Sequence, residues 1–374
     1  MHRRTADTAH TTLARPGFLP VPAPLTVSQE AKDRLRLLFV AKHARSDGQA
    51  HAEDGTHAVY HAEIREVLKG LGFNVAIADD YRVLFDQPEV DFVFPLLNRG
   101  GFLNSEMMLP LLCNRLGLPY LGCGPIIRGV SDDKHLTKLI ARARGITTAD
   151  WAVFRRFAPI DRERCPRAER FVIKPNASSA SWGVRSASDW AGVRDAVDEI
   201  HAEGHDALVE PFITGHDIEV SIVTVNGRPV ILPVMIVEQH DPTDLRSYGE
   251  KRDLDAGEKT YAIKPYEDAE RIAAIAAAAL NLMEEFAPFD YGRFECRLDV
   301  TSGRFQFLEV NLNCNLWSRK TISMAARRAG WTHAQLIETI LAESLARNGL
   351  LTTRAPKAFD PAAFAPPAQL AVSA

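Results

Sequence analysis

The sequence has few cysteines, no long apolar run and little net charge. Five cysteines are scattered over 374 residues without a CxxC pair, which argues against a disulfide scaffold or a zinc knuckle and is typical of a reducing cytoplasm. No stretch approaches the roughly 18 apolar residues that a membrane-spanning helix needs. Because a formal net charge of −4 provides no surface that attracts polyanions, we expect neither a membrane nor a nucleic acid as a partner.

The rest of the composition is that of a globular protein with room for two or three domains. Hydrophobic residues make up 46% of the chain and charged residues 25%, which is ordinary for packed domains. Residues 1–32 begin with a basic stretch and continue into "PGFLPVPAP", and we predict a disordered extension there. Residues 351–374 are rich in alanine and proline without periodicity, which predicts a flexible tail.

Strand and helix patterns alternate in the first folded third of the chain. The strand-like run "RLRLLFVAK" (34–42) is followed by helical spacing over 57–73 and by two more strand-like runs, "VAIAD" and "VDFVFPLL". This order predicts a parallel sheet with covering helices, and we assign residues 33–130 to an N-terminal α/β substrate domain. Ligands bind at the carboxyl ends of such strands, here the loops 42–55 and 98–104.

Two smaller α+β units are predicted to follow. Ser131 has the character of an N-cap for a helix that ends near Arg144, and a domain boundary at this helix gives a central domain over 131–209. The C-terminal domain over 210–350 opens with two strands around the turn Asn226-Gly227. It continues with a polar loop over 239–262, an alanine-rich helix over 267–286, strands over 292–300 and 304–311, and two helices.

Polar side chains alternate with apolar ones along the last two strands. In "GRFECRLD" (292–299), Arg293 and Glu295 point to one face, and in "FLEVN" (307–311) Glu309 and Asn311 do the same. If the two faces coincide, the oxygen donors of Glu295, Glu309 and Asn311 suit Mg²⁺. The alternative is a solvated sheet face of paired charges.

Two lysines and a serine-rich loop add weaker signals. Lys134 lies near the start of the helix after Ser131, and Lys174 ends the strand-like run "RFVIKP" just before "NASSASWG" (176–183). The backbone N–H groups of such a loop, around Ser181, suit phosphate oxygens. Taken alone, each of these features is commonplace in proteins.

Five short pieces, in this order and at compatible spacing, resemble the ATP-grasp superfamily and most closely its D-alanine–D-alanine ligase branch. They are "GLPYLGCG" with "SDDKHLTK", "FVIKP", "LVEPFITGHDIEVSIV", "GRFECRLD", and "FLEVN" with "MAARRAG", and they span roughly residues 35–342. The resemblance implies an α/β ATP-grasp fold, in which an N-terminal parallel-sheet domain precedes two α+β domains that clamp ATP. It also implies an ADP-forming amide or peptide ligase that uses ATP and Mg²⁺, with Mn²⁺ as a substitute.

The resemblance implies a role for each matching position. The residues assigned to ATP are Lys134, Lys174 and Ser181 for phosphates, Glu210, Pro211, Phe212 and Ile213 for adenine, and Asp217 for ribose. The residues assigned to the metal are Glu295, Glu309 and Asn311. The residues assigned to catalysis are Arg293, which steadies the transferred phosphoryl group and the oxyanion, and Lys251, on a lid over ATP.

The substrate half departs from the family pattern. The loop "NRGGFLNSE" (98–106) lacks the family's histidine and acidic pair, and the "SPGMT" turn of the family is replaced by "NCNLW" (313–317). Glu53 falls near the family glutamate that receives an ammonium group, and Asn98 and Asn315 are further substrate candidates. Lys320 aligns with a serine that contacts a substrate carboxylate, where a cation would strengthen an anion site; the alternative is that it points to solvent.

These departures disfavour synthesis of the cell-wall dipeptide. We hypothesise a ligase that joins an amino acid to a carboxylate through an acylphosphate in specialised metabolism, with a mycosporine-type ligase as one option. The alternatives are an ATP-grasp kinase for a non-carboxylate acceptor, a D-alanine–D-alanine ligase with altered substrate loops, and a nucleotide-binding module. The partners are then small-molecule carboxylates and amines, a homodimer is one option, and the identity of the substrates stays open.

Overall fold

A computed structural model describes residues 20–96, 105–178, 181–245 and 260–351 of the chain. The helices are Gln29–Arg34 (α1), His57–Gly70 (α2), Met108–Leu116 (α3), Pro125–Asp132 (α4), Lys134–Ala143 (α5), Trp190–Ala202 (α6), Ala269–Met283 (α7), Thr321–Arg328 (α8) and His333–Arg347 (α9). The strands are Arg36–Val40 (β1), Asn74–Ala78 (β2), Phe92–Pro95 (β3), Ala152–Phe154 (β4), Phe171–Pro175 (β5), Arg185–Ala187 (β6), Ala207–Pro211 (β7), Gly215–Val225 (β8), Arg228–Ile231 (β9), Met235–Gln239 (β10), Tyr261–Pro265 (β11), Tyr291–Asp299 (β12) and Phe305–Leu312 (β13).

The first sheet is parallel, as the alternation of strand and helix predicts. Its strands lie in the order β2-β1-β3. Four of the five residues of β1 are buried, because a parallel sheet is covered on both faces and its strands become nearly continuous apolar runs. One face packs with α2, and Leu38 and Val40 pack with Leu109 and Cys113 of α3 on the other.

The central unit is a four-stranded antiparallel sheet in the order β4-β7-β5-β6. Helix α6 covers it with Val193, Val197 and Ile200, which recur at helical spacing and are fully buried. The side chain of Asp189 caps this helix by accepting a hydrogen bond from the Gly192 N–H. The opposite face of the sheet is thereby left to form one wall of a cleft.

The C-terminal unit is a six-stranded antiparallel sheet. Its order is β11-β10-β8-β12-β13, with β9 paired to β8 through the predicted Asn226-Gly227 turn. Apolar residues of β8, β12 and β13, such as Val220, Phe294 and Val310, pack on Ile275 and Ala279 of α7. Alternation along the strands therefore sends their polar residues to the other face, towards the central unit. The predicted α/β fold class, with a parallel N-terminal sheet followed by two antiparallel sheets, is confirmed.

Two local predictions are wrong. Residues 20–32 are not part of a disordered extension: the Leu25 N–H donates to Thr339 Oγ1 at 2.9 Å, and the Lys32 ammonium pairs with Glu338 at 2.6 Å. Ser131 is not an N-cap, because it lies inside α4, whose first residue is Pro125; Asp133 caps α5 instead. The missed signal is a proline at the first position of a helix, where its absent N–H costs nothing.

Two further findings concern hydropathy and thiols. Within the described ranges, every helix is too short or too polar to cross a membrane. All five cysteines are free thiols, and four of them are buried.

Candidate active site

Three carboxylates form a row across three neighbouring strands. Glu219 on β8 is the register partner of Glu295 on β12, and Glu295 is in turn the register partner of Glu309 on β13. We call these three residues the carboxylate row. Glu219 is 5% exposed and Glu295 6%, so the row carries negative charge into a poorly solvated region, where unpaired charge is costly.

Positively charged and amide groups hold the row in place. The Arg293 guanidinium contacts Glu219 at 3.0 Å and Glu295 at 2.6 Å. Burial lowers the pKa of Arg293, but the charges of Glu219 and Glu295 outweigh this and raise it, so Arg293 stays charged. The Asn311 Nδ2 donates to Glu295 and, at 3.2 Å, to Glu309. Glu295, Glu309 and Asn311 therefore converge, as the alternation along the strands predicts.

The oxygen donors of Glu295, Glu309 and Asn311 fit magnesium. Mg²⁺ prefers oxygen donors and is held by one or two carboxylates together with water and phosphate. Glu295 and Glu309 supply two carboxylates that face each other directly, an arrangement that is repulsive unless a cation lies nearby. The carboxamide oxygen of Asn311 completes a set of oxygen donors.

Lys134 links the carboxylate row to the central unit. Its ammonium lies 3.0 Å from Glu309 Oε2 and donates to the Ser178 carbonyl at 2.7 Å. The start of α5 is fixed by Asn176, whose carbonyl accepts from the Lys134 N–H at 3.0 Å. A single lysine thus contacts both the carboxylate row and the loop after β5, where phosphate groups are predicted to lie.

Glu210 lies between two buried lysines. Its carboxylate contacts Lys174 and, at 2.9 Å, Lys138. Burial raises the pKa of Glu210, but the charges of Lys138 and Lys174 outweigh this and lower it to about 2. Burial also lowers the pKa of Lys138, and the charge of Glu210 offsets only part of that effect. The three side chains form a compact ionic group at the cleft wall.

The predicted adenine strand is braced by an arginine. Arg297 Nε donates to the Ile213 carbonyl at 3.0 Å, and its Nη1 pairs with Asp217 at 2.9 Å. The Phe212 N–H is already bound to the Arg170 carbonyl at 2.8 Å. The adenine contacts assigned to this strand stay predictions, and Asp217 would have to share its carboxylate between Arg297 and a ribose.

One cleft brings most of the predicted nucleotide residues together. It encloses about 820 Å³ of empty space, its open mouth included. Its lining contains the predicted residues Lys134, Lys174, Ser181, Glu210, Pro211, Phe212, Ile213, Asp217, Glu295 and Glu309. Ser181 and Gly183 have positive φ angles of 60° and 71°, and a Cβ at Gly183 would lie 2.7 Å from Pro175, so only glycine lets this loop pack so closely.

A second cavity lies where α2, α3 and α4 meet the loop after β13. It has about 450 Å³ of space and is lined by Tyr60, Pro95, Leu96, Glu106, Leu109, Pro110, Arg128, Asn313 and Asn315. Asn313 and Asn315 belong to the loop that follows β13, the strand that carries Glu309 and Asn311. Arg128 and Glu106 form an ion pair in its wall, with side chains 10% and 12% exposed. This cavity offers a positive and a negative group to a substrate.

The remaining predicted substrate residues are placed differently. Asn315 lines the second cavity, whereas Glu53 and Lys320 do not occur among its described lining residues. Glu53 is exposed in the loop after β1, and Lys320 is half-buried and precedes the first residue of α8. Asn98 and Lys251 lie outside the described residues, so their roles stay predictions.

Several residues at the site escaped prediction from the sequence. Lys138 lies four residues after Lys134 on the same helix, and this spacing was the available signal. Glu219 follows Asp217 by two residues and so shares its face of β8. Arg128 and Glu106 gave no local signal, because they belong to different elements. No sequence pattern indicates Glu63 of α2 either, although it accepts hydrogen bonds from Trp317 Nε1 and from the Ser318 N–H, both at 3.0 Å.

Comparisons with known proteins agree with this geometry. The family model described as D-ala D-ala ligase C-terminus matches residues 140–342. The D-alanine–D-alanine ligase of Actinobacillus pleuropneumoniae serotype 5b (strain L20) is 27% identical over 288 residues, which cover 75% of this chain and 90% of the relative. The D-alanine–D-alanine ligase of Synechococcus sp. (strain JA-3-3Ab) is 27% identical over 277 residues, 74% of this chain and 82% of the relative.

Solved structures share the fold. D-alanine–D-alanine ligase from Bacillus anthracis superposes with a TM-score of 0.67 at 20% identity, covering 84% of this chain and 99% of that structure. The VanG D-Ala:D-Ser ligase from Enterococcus faecalis gives a TM-score of 0.60 at 16% identity, covering 83% and 99%. The prediction that the chain is an enzyme of the ATP-dependent, ADP-forming peptide ligase class is confirmed by the family model together with these relatives and structures. Since the family model spans more than half of its length, the chain belongs to the D-ala D-ala ligase C-terminus family of ATP-grasp ligases.

Proposed function

We propose that this chain is a carboxylate–amine ligase that joins an amino acid to a carboxylate substrate through an acylphosphate, in specialised metabolism. The observation that carries the proposal is the position of β13. This strand brings Glu309 to the nucleotide cleft, with Asn311 hydrogen-bonded to it, and continues into the loop with Asn313 and Asn315, which lines the second cavity. A phosphoryl donor in the cleft and a carboxylate in the cavity would then meet at Arg293, beside the carboxylate row.

ATP is the first reactant of the proposal. Its phosphates bind between Lys134, Lys174 and the loop around Ser181, all in the lining of the cleft. Lysine suits this task because its ammonium is a compact charge with three donors. The adenine lies against the strand Glu210–Ile213, which Arg297 holds in place through the Ile213 carbonyl.

Magnesium is held by Glu295, Glu309 and Asn311. The ion offsets the negative charge of the nucleotide phosphates when it is bound. The protein's own part is to keep these three side chains together, through the hydrogen bonds of Asn311 and through the contacts of Arg293 and Lys134 with the two carboxylates.

The reaction has two steps. An oxygen of the substrate carboxylate forms a bond to the γ-phosphorus, the bond from that phosphorus to the bridging oxygen breaks, and ADP leaves. The amine nitrogen then forms a bond to the acyl carbon, the bond from that carbon to the phosphate oxygen breaks, and phosphate leaves with the proton that the amine loses. Arg293 stabilises the negative charge that develops on the phosphoryl oxygens and on the tetrahedral oxyanion, a kind of contact worth about 10²–10³ in rate.

The second cavity sets the chemistry of the substrates. The Arg128 guanidinium suits a carboxylate, since its planar donors match both carboxylate oxygens, and Glu106 suits an ammonium. Because the two already pair with each other, a zwitterionic amino acid can replace that pair with two equivalent ion pairs. This supports an amino acid as one substrate.

Synthesis of D-alanyl-D-alanine is the second candidate, because the curated relatives carry that name. The loop sequence 313–317, which replaces the family's "SPGMT" turn, favours other substrates. A mycosporine-type ligase, which joins an amino acid to a small cyclic acceptor, is one option within the proposed class.

Trapping the acylphosphate tests the proposal. With MgATP, hydroxylamine and single carboxylates from a panel that includes D-alanine, a ligase of this class yields a hydroxamate of its first substrate. Hydroxamate from D-alanine alone would favour the second candidate. ADP formation without any hydroxamate, together with a stable phosphorylated product, would contradict the acylphosphate route.

A further inference from the structure

The loop between β1 and α2 gathers metal-binding side chains away from the nucleotide cleft. His43, His51 and Asp54 each offer one ligand atom, and these atoms lie within 4.8 Å of one another. Nε2 of His43 is 2.7 Å from Oδ2 of Asp54, and Nδ1 of His51 is 4.0 Å from the same oxygen. Within the described ranges, no other group of three such residues comes this close together.

Backbone hydrogen bonds hold His51 and Asp54 in this arrangement. The His51 N–H donates to the Gly55 carbonyl at 2.9 Å, and the Gly55 N–H donates to the His51 carbonyl at 2.8 Å, which closes the turn 51–55. Two backbone N–H groups, those of Glu53 and Asp54, point at Nδ1 of His51 at 3.2 and 3.3 Å. This nitrogen is therefore unprotonated, and its lone pair, which now accepts from the two N–H groups, is available to a metal once these hydrogen bonds give way.

A third histidine, His61, supports the group from inside. His61 is 1% exposed, and its Nδ1 accepts from the His43 N–H at 3.2 Å. Its Nε2 is buried and has no hydrogen-bond partner among the described residues. Its ring stacks on that of His43 at 5.9 Å.

Asp54 already attracts cations. It contacts the Lys42 ammonium and the His43 ring through one oxygen. The Lys42 side chain is 62% exposed, so it can move into solvent when another cation takes its place.

We propose that His43, His51 and Asp54 bind a divalent transition metal of the zinc class, which fastens the turn 51–55 to the end of β1. Two imidazoles and one carboxylate form a three-ligand zinc set whose fourth position takes water. Bonds of about 2.0–2.2 Å at tetrahedral angles place ligand atoms about 3.3 Å apart, so the loop tightens by roughly 1 Å. Imidazole donors select such metals over magnesium.

A metal bound at this site makes one wall of the second cavity more rigid. Helix α2 begins two residues after the turn, and its Tyr60 lines that cavity. The Tyr60 hydroxyl accepts a hydrogen bond from the Leu316 N–H at 3.0 Å. A metal in the turn thus limits the motion of the helix that supports the loop with Asn313 and Asn315.

Cobalt titration of the metal-stripped full-length chain tests this site independently of turnover. Excess Mg²⁺ is present to fill the oxygen site, and Co²⁺ reports tetrahedral nitrogen and oxygen ligands by its visible absorption. The wild type is expected to bind one Co²⁺ per chain, which Zn²⁺ displaces. His43→Ala and His51→Gln are expected to bind at least about tenfold more weakly, whereas His240→Ala, an exposed histidine elsewhere, matches the wild type.

Lys42→Met distinguishes a metal site at Asp54 from a simple ion pair between Lys42 and Asp54. Since the ammonium competes with the metal for Asp54, its removal is expected to tighten Co²⁺ binding several-fold. Circular dichroism checks the fold of each variant. If His43→Ala does not fold, the test rests on His51→Gln, which is expected to fold because the His51 side chain is 43% exposed. A wild type that binds no Co²⁺, or a folded His51→Gln that binds like the wild type, would overturn the proposal.

Discussion

Glu295 on β12 and Glu309 on β13 face each other as register partners, with Glu219 on the far side of Glu295. Carboxylates in this position repel, and the fold offsets the repulsion with Arg293, Lys134 and the amide of Asn311. Such an arrangement stabilises the protein less than an apolar sheet face would, which is expected where a cation and a nucleotide bind.

Arg293→Ala is expected to slow turnover by at least tenfold and by up to about 10³, while the KM for ATP changes little. The guanidinium lies beside the carboxylate row, so it acts on the charge that develops in the reaction. Steady-state ADP release measures both constants, with the exposed Arg304→Ala as the matched control. Equal losses in ATP affinity and in rate would indicate a structural role instead.

Glu309→Gln is expected to raise the Mg²⁺ concentration for half-maximal activity by about tenfold or more. The change removes one of two facing carboxylates and keeps the size of the side chain. Activity across a Mg²⁺ series at saturating ATP measures the effect, and the exposed Glu270→Gln serves as control. An unchanged Mg²⁺ requirement would place the metal elsewhere.

Lys138→Met is expected to lower the free energy of unfolding by about 3–5 kcal/mol, because it removes one of two cations from the buried Glu210. The matched control is Lys264→Met. Lys264 pairs with Glu238 at 2.6 Å on the surface, where such a pair is worth less than about 1 kcal/mol. Urea unfolding at neutral pH measures both variants, and similar losses in the two would refute the prediction.

The Glu210 carboxyl is expected to make stability depend on pH in acid. Its pKa is about 2 in the folded protein against 4.5 for an ordinary glutamate. The unfolded chain therefore takes up the proton first as pH falls, so the stabilisation is complete above pH 4.5 and is lost on the way down to pH 2. Urea unfolding between these values measures the slope. In Glu210→Gln the slope should be smaller, and an unchanged slope would contradict the assignment.

Arg128→Met is expected to raise the KM of the carboxylate or amino-acid substrate by at least tenfold, because it removes the cation from the second cavity. Lys320→Met, the position favoured by the alignment, is expected to have a smaller effect, since Lys320 lies at the start of α8 and not among the described lining residues. The KM for ATP is the internal control. A larger effect from Lys320 would restore the alignment-based hypothesis.

The sequence predicted which residues come together at the cleft better than it predicted the second cavity, for a physical reason. Glu295, Glu309 and Asn311 lie on paired strands, where a period of two residues decides which side chains share a face. The ion pair of Arg128 and Glu106 joins two elements that are close only in the folded chain, and no local pattern encodes it. The same holds for Glu63, whose carboxylate reaches the Trp317 loop.

Errors at the start of the chain have a different origin. Residues 20–28 are rich in proline and lack periodicity, so they resembled a disordered extension, yet tertiary contacts hold them. Trp331 Nε1 donates to the Pro22 carbonyl at 3.1 Å, and the Val27 N–H donates to Glu338 at 3.1 Å. Contacts with a helix some 300 residues away leave no trace in local composition.

The measurement that tests the central claim most directly is the product balance with MgATP and pools of amino acids and small carboxylates, followed by mass spectrometry. The ligase account predicts a new mass equal to two substrates minus water, and one phosphate released per ADP. A product that retains the phosphoryl group, with ADP but no free phosphate, would contradict the account and assign the chain to a kinase.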